Sequence, residues 1–107
     1  MGAVKNPVVR VVKLEAVDPI PLPKESWSKM VLTDKTIKGN TSSLGYSVFR
    51  PGTELGSVSH EVEEVAYVLA GSGELRLEDS VVLFEAHDAL YIPPNTWHAV
   101  VNTGDTD

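Results

Sequence analysis

The feature that most constrains the fold is a run of short β-type segments between residues 44 and 102. Apolar and polar residues alternate in several of them, which is typical of strands with one buried face. Turn residues separate the segments, and Gly71 and Gly73 predict a break inside the run. The predicted strands are 44–50, 65–69, 74–78, 81–84, 89–92 and 97–102. Because no stretch has the pattern of a long helix, the sequence predicts an all-β sandwich or barrel.

The first 43 residues are predicted to form a strand and an extended arm that lead into a core at 44–107. Residues 8–14 are β-branched and apolar, so they predict a strand. Three prolines between 18 and 23 exclude a helix interior and a central strand there. Ser26 is expected to cap a short turn that begins at Trp27. The whole chain, at 107 residues, has the usual size of one domain.

Charge and composition exclude several classes of function. The net charge is −6 and no stretch concentrates Lys and Arg, so we expect no nucleic-acid partner. No apolar run is long enough to span a bilayer and the N-terminus lacks a signal-peptide pattern, so we expect no membrane and a cytoplasmic location. The sequence contains no cysteine, which excludes thiolate chemistry and leaves His and carboxylates as the ligands for any metal.

Two of the three histidines and one glutamate form a candidate metal site. His60 precedes Glu64 by four residues, and His98 belongs to a separate predicted strand. Neighbouring strands of a barrel can bring such residues together on the inner face. Imidazole and carboxylate ligands suit one divalent ion of Fe, Mn, Ni, Zn or Co, and three of them leave coordination positions free for a substrate.

The spacing of these residues resembles the two motifs of the cupin family. The first motif reads Gly, five residues, His, one residue, His, three residues, Glu, six residues, Gly. Gly52, His60, Glu64 and Gly71 fall in register with it. The second motif reads Gly, five residues, Pro, one residue, Gly, two residues, His, three residues, Asn, and Pro93, His98 and Asn102 match it. The resemblance implies a double-stranded β-helix, or jelly-roll barrel, with His60, Glu64 and His98 as metal ligands.

Three departures from the family pattern are present. Val58 replaces the first motif histidine and cannot ligate a metal. His87 and Asn95 replace the two glycines of the second motif, and both are expected to lie in tight turns. Cupins continue after the second motif with a strand that helps to close the barrel, and we expect that last strand to be lacking from this sequence.

The resemblance leaves two classes of function open. The first is a small metalloenzyme, a dioxygenase or an isomerase/lyase, that acts on a small organic acid, carbonyl or sugar-derived substrate through His60, Glu64 and His98. The second is a non-catalytic module that binds or senses a small molecule. The expected substrate pocket is lined by Val58, Tyr46, Val48, Arg50 and Tyr91, although a surface salt bridge is the alternative role of Arg50.

Because the closing strand is expected to be lacking, either this sequence is a fragment of a longer one or a second chain covers the open strand edge. Small cupins form dimers, and the resemblance therefore implies a homodimer. We expect residues 8–14 to be exchanged between its two copies.

Overall fold

The computed structural model describes residues 8–107, and nearly all of its regular structure is β-strand. Two single 3-10 turns, Leu14–Ala16 and Pro23–Glu25, precede the main body. The strands are β1 (Ile20–Pro21), β2 (Trp27–Leu32), β3 (Leu44–Val48), β4 (Glu64–Tyr67), β5 (Ser72–Arg76), β6 (Val81–Glu85), β7 (Ala89–Ile92) and β8 (Ala99–Val101). The all-β prediction is confirmed. Within the described part of the chain, no helix is long and apolar enough to cross a bilayer.

All the strands pair in antiparallel fashion, in three small sheets. The strand orders are β1-β2-β3, β4-β7 and β6-β5-β8. The segment after β3 adds to the free side of β8, because Leu55 donates its backbone N–H to the Val100 carbonyl at 3.0 Å and Val58 exchanges two hydrogen bonds with His98. The chain then returns through β4 to β7. This path brings 58–64 close to His98.

Leu75, Ile92 and Val101, each 5% exposed, are the most deeply buried apolar residues of the described chain. A hydrogen-bonded polar cluster lies beside them. The buried hydroxyls of Ser26 and Thr53 bond to each other at 2.7 Å. The Asn102 side chain donates to the carbonyls of Phe49 and Thr106 at 2.7 and 2.8 Å. The Asn102 amide thus ties the end of β8 to the segment after β3, a structural role.

The N-terminal predictions are wrong in two places. Residues 8–13 form no strand in this chain, since no neighbouring strand pairs with them. Residues 27–32 were expected to begin with a turn, yet they form β2. That strand is partly covered along most of its length, so it lacks the alternation by which a strand is recognised in a sequence.

Gly73 lies inside β5 and does not break it. A side chain at this position would meet the Val101 carbonyl, so the glycine allows close approach of β8. Gly71 does have a positive φ of 82° and lies in the turn before β5, as expected.

The two residues that replace motif glycines adopt left-handed backbone conformations. His87 has φ 75° and Asn95 has φ 57°. The prediction of tight turns at both positions is confirmed. The backbone attaches each turn to a distant segment, because His87 donates to the Val68 carbonyl at 2.7 Å and Asn95 donates to the His60 carbonyl at 2.6 Å.

Candidate metal centre

The structure brings the three predicted ligands together from three separate segments. His60 lies in the loop before β4, Glu64 is the first residue of β4, and His98 immediately precedes β8. One ligand atom from each residue lies within 4.8 Å of the other two. Atoms bound at about 2.0–2.2 Å to one ion lie roughly 3–4 Å from one another. Small side-chain rotations would therefore give a common coordination sphere.

The orientation of His98 fits a metal ligand. The residue is 4% exposed, and Nδ1 lies 2.8 Å from the Thr96 carbonyl oxygen. Because a carbonyl can only accept, Nδ1 carries a hydrogen, and Nε2 is therefore the ring nitrogen that can bind a metal. Nε2 faces the Glu64 carboxylate at 3.4 Å. Two acceptors in this arrangement repel each other unless a cation, either a proton or a metal ion, lies between them.

The other two ligands lie on the open side of the site. The Glu64 side chain is 45% exposed, and His60 is also exposed. The rings of His60 and His98 have centroids 5.8 Å apart and planes inclined at 58°. The hydrogen bond from Asn95 to the His60 carbonyl fixes the His60 loop to the turn that precedes His98. An ion held here would be reached from solvent on the His60 and Glu64 side.

Val58 lies directly beside the ligand set. Its N–H donates to the His98 carbonyl and its carbonyl accepts from the His98 N–H, both at 2.9 Å. Directly opposed residues of an antiparallel pair project to the same face, with Cα atoms about 5.5 Å apart in a hydrogen-bonded pair. The Val58 side chain therefore shares a face with His98. It places an apolar group where the cupin motif has its first histidine.

Among the other predicted pocket residues, Tyr46 and Val48 share one face of β3. Tyr46 stacks on Trp27 with ring centroids 5.9 Å apart. Arg50 forms an ion pair with Asp107, and both side chains are nearly half exposed. This ion pair is the salt bridge weighed as the alternative role of Arg50.

Tyr91 is separated from the ligands by the register of β4 and β7. Glu64 lies opposite Ile92, whereas Tyr91 lies opposite Val65. Since side chains alternate along a strand, Tyr91 and Glu64 are on opposite faces of the pair. The Tyr91 hydroxyl donates to the Glu63 carboxylate at 2.7 Å. This hydrogen bond, together with partial desolvation and the negative charge of Glu63, raises the pKa of Tyr91 above its ordinary value.

Thr96 is a residue of the candidate site that the sequence did not reveal. It acts through its backbone carbonyl, which selects the tautomer of His98. Because every residue has a backbone carbonyl, the sequence cannot indicate which one accepts this hydrogen bond. Only the conformation of the 93–98 turn shows it.

A β-sandwich of jelly-roll type with a His, Glu and His cluster at its opening defines a cupin. The family model for the cupin domain matches residues 45–107 of this sequence, more than half of the chain. The chain belongs to the cupin family.

Several known proteins are similar to this chain. Auxin-binding protein 1 of Arabidopsis thaliana is 31% identical over 101 residues, which cover 80% of this chain and 51% of that protein. A 5-nitrosalicylic acid 1,2-dioxygenase of Bradyrhizobium sp is 32% identical over 63 residues, 59% of this chain and 30% of that protein. The solved structure of the polyketide cyclase RemF from Streptomyces resistomycificus has a TM-score of 0.75 at 23% identity, covering 92% of this chain and 73% of that one.

This chain spans between 30% and 58% of the length of the curated relatives it matches. The structural likeness to RemF, at 23% identity, is a likeness of fold.

Proposed function

We propose that this protein is a metal-dependent cupin enzyme that acts on a small organic acid, carbonyl or sugar-derived compound. One observation carries the proposal: His98 Nε2 and the carboxylate of Glu64 face each other at 3.4 Å, with His60 beside them. This donor set fits one divalent ion of Fe, Mn, Ni, Zn or Co. A bound ion of this kind would polarise a substrate carbonyl or enolate as a Lewis acid, or supply a redox centre.

The residues around the site have different roles. His98 is oriented by Thr96 and buried, so it defines the closed side of the site. His60 and Glu64 define the side from which a substrate enters. Val58 supplies an apolar group next to His98.

A dioxygenase is the reaction type that we favour, with an isomerase or lyase as the other form of the same proposal. Two histidines and one carboxylate, with other positions open, form the ligand type of non-haem iron oxygenases. A relative named as a 5-nitrosalicylic acid 1,2-dioxygenase supports this choice, and it points to a small aromatic acid as the first substrate class to assay.

Purified protein provides the test. We expect close to one equivalent of metal per chain in wild type, and at least a tenfold loss of metal affinity in His60→Ala. Oxygen uptake with small aromatic acids is then measured for wild type, for His60→Ala and for His87→Ala, a control that alters a histidine outside the site. If wild type binds no metal and His60→Ala changes neither metal content nor turnover, the enzyme proposal fails.

A non-catalytic small-molecule-binding or sensor cupin is the second candidate. Val58 favours it, because a missing ligand can accompany loss of chemistry, and so does the relative named as an auxin-binding protein. Val58→His discriminates between the two candidates, since its imidazole would project to the face of His98. A rise in metal affinity from nearly nothing favours the binding module, whereas a small change from an already tight site favours the enzyme.

Two further parts of the proposal concern the location and the partners of the protein. We infer a cytoplasmic location and a small-molecule ligand, with no nucleic-acid or membrane partner. We also infer a homodimer. Fractionation of cells that express the protein checks the first, and sedimentation of the purified chain checks the second.

A further inference from the structure

Two adjacent glutamates, Glu63 and Glu64, lie where β4 begins, and only Glu64 belongs to the candidate metal centre. Successive side chains of a strand point to opposite faces, so one carboxylate faces the metal centre and the other faces away from it. A displacement of the strand by one residue would exchange the two. The site therefore depends on a register that keeps Glu64, and not Glu63, beside His98.

Backbone pairing ends at the ligand itself. Glu64 and Ile92 are the last pair of the ladder between β4 and β7. The residue after Ile92 is Pro93, which has no N–H and cannot donate a hydrogen bond to Glu63. Residues 61–63 are exposed and have no regular structure. The ladder therefore fixes Glu64 from one side only.

A side-chain hydrogen bond from Tyr91 extends the connection beyond the ladder. Its hydroxyl donates to a carboxylate oxygen of Glu63 at 2.7 Å. Because Tyr91 lies opposite Val65, Glu63 is its diagonal neighbour on the same face, within reach of a long side chain. A hydrogen bond to a charged acceptor is stronger than one between neutral groups. It holds the Glu63 carboxylate on the face opposite to Glu64.

Tyr67 provides a comparison at the other end of β4. It projects to the same face as Val65, since the two residues are two positions apart on one strand. Its hydroxyl lies 3.4 Å from Nδ1 of His87, a residue outside the candidate metal cluster. A hydroxyl on this face therefore has no general connection to the site, whereas that of Tyr91 contacts the residue next to a ligand.

We propose that Tyr91 is a positioning residue that selects Glu64 as the metal ligand by holding Glu63 on the opposite face of β4. The inference rests on the proposed metal function. Tyr91 does not touch the ion and acts through Glu63. Without the hydroxyl, the start of β4 also adopts the displaced register, in which the Glu63 carboxylate faces the site. The fraction of the protein that is ready to bind through Glu64 falls, and with it the apparent metal affinity.

Titration of chelator-treated protein with Co²⁺ tests the inference. The visible absorption of bound Co²⁺ reports affinity and also ligand geometry, which a general loss of stability does not alter. Tyr91→Phe keeps the ring, and we expect it to change the spectrum and to raise the Co²⁺ dissociation constant by about threefold or more. Glu63→Gln should keep the wild-type spectrum, because the amide oxygen still accepts from Tyr91. Tyr67→Phe, the matched control, should equal wild type in both measurements.

A double variant separates selection of the ligand from simple anchoring of the strand. In Tyr91→Phe combined with Glu63→Gln, no second carboxylate competes, so the spectrum should return to that of wild type while the affinity stays lowered. A double variant that keeps the spectrum of Tyr91→Phe overturns the inference. Equal behaviour of Tyr91→Phe and Tyr67→Phe also overturns it. A wild type that binds no Co²⁺ overturns the proposed function as well, so the two failures are distinguishable.

Discussion

Backbone strain at single residues is visible at the two turn positions where cupin motifs have glycine. His87 and Asn95 both have positive φ, but they differ in how well they tolerate it. Asn forms local hydrogen bonds that make the left-handed region accessible, whereas the bulkier His lacks this compensation. The strain is therefore concentrated at His87.

We expect His87→Gly to stabilise the protein. Relief of the left-handed strain is worth about 1–2 kcal/mol and the added chain entropy costs about 0.5–1 kcal/mol, which leaves a net gain between about 0 and 1.5 kcal/mol. Asn95→Gly is the matched control and should be nearly neutral. Urea unfolding monitored by circular dichroism measures both variants. Equal effects at the two positions would contradict this assignment of strain.

Tyr91 makes a pH-dependent contribution to the stability of the folded protein. Its hydrogen bond to Glu63 raises the pKa of the phenol, so the folded state favours the protonated form. The stabilisation is therefore fully present below the unfolded pKa of 10.0 and is lost as pH rises through the folded value. Glu63→Ala should lower the pKa of Tyr91 in an ultraviolet titration. Glu61→Ala, which removes a nearby carboxylate, should leave it unchanged. A Tyr91 titration that is the same in both variants would refute the role of Glu63.

The grouping of the three candidate ligands could be predicted from the sequence, but the surroundings of the site could not. His60, Glu64 and His98 follow from two independent motif spacings, and the structure groups them. The expected pocket role of Tyr91 depended on strand register, and a shift of one residue moves a side chain to the other face. The role of Thr96 lies in its backbone, which residue identity does not report.

At the scale of elements, strands with one covered face were predictable and others were not. The segment 89–92 was predicted with both boundaries as found, and β5 shows the alternation of Gly73 and Leu75 inward with Glu74 and Arg76 outward. The strand β2 was missed because it is partly covered on both faces. The strand expected at 8–14 is absent, because no strand of the described residues 8–107 pairs with this segment.

Gly73 provides a test of how closely β5 approaches β8. A Cβ at this position would lie 2.5 Å from the Val101 carbonyl oxygen and 2.8 Å from Cζ of Phe84. Gly73→Ala should therefore destabilise the protein by about 1–3 kcal/mol, the usual cost of overpacking. Gly56→Ala is the control, since nothing lies within 4 Å of its Cβ position. Similar unfolding midpoints for the two variants would show that β5 and β8 can separate at little cost.

For the whole molecule, the described residues 8–107 form three small sheets with a small apolar core. Only a few of their apolar side chains are deeply buried. A domain with so little buried apolar area has limited stability of its own. Anything that binds the folded state alone, whether a second chain or a metal ion, should therefore have a large effect on its unfolding.

Metal addition should raise the unfolding temperature through this linkage. A ligand present at one hundred times its dissociation constant contributes about 2.7 kcal/mol, which corresponds to roughly 10 °C or more for a domain of this size. Differential scanning calorimetry measures how much added metal raises the unfolding temperature of chelator-treated protein. This rise is compared between variants. Wild type and His87→Ala should show the rise, whereas His60→Ala and His98→Ala should lose most of it. His60 is exposed, so His60→Ala keeps the comparison valid even if loss of the buried His98 weakens folding. An equal rise in all four proteins would place the bound metal outside the cluster of His60, Glu64 and His98.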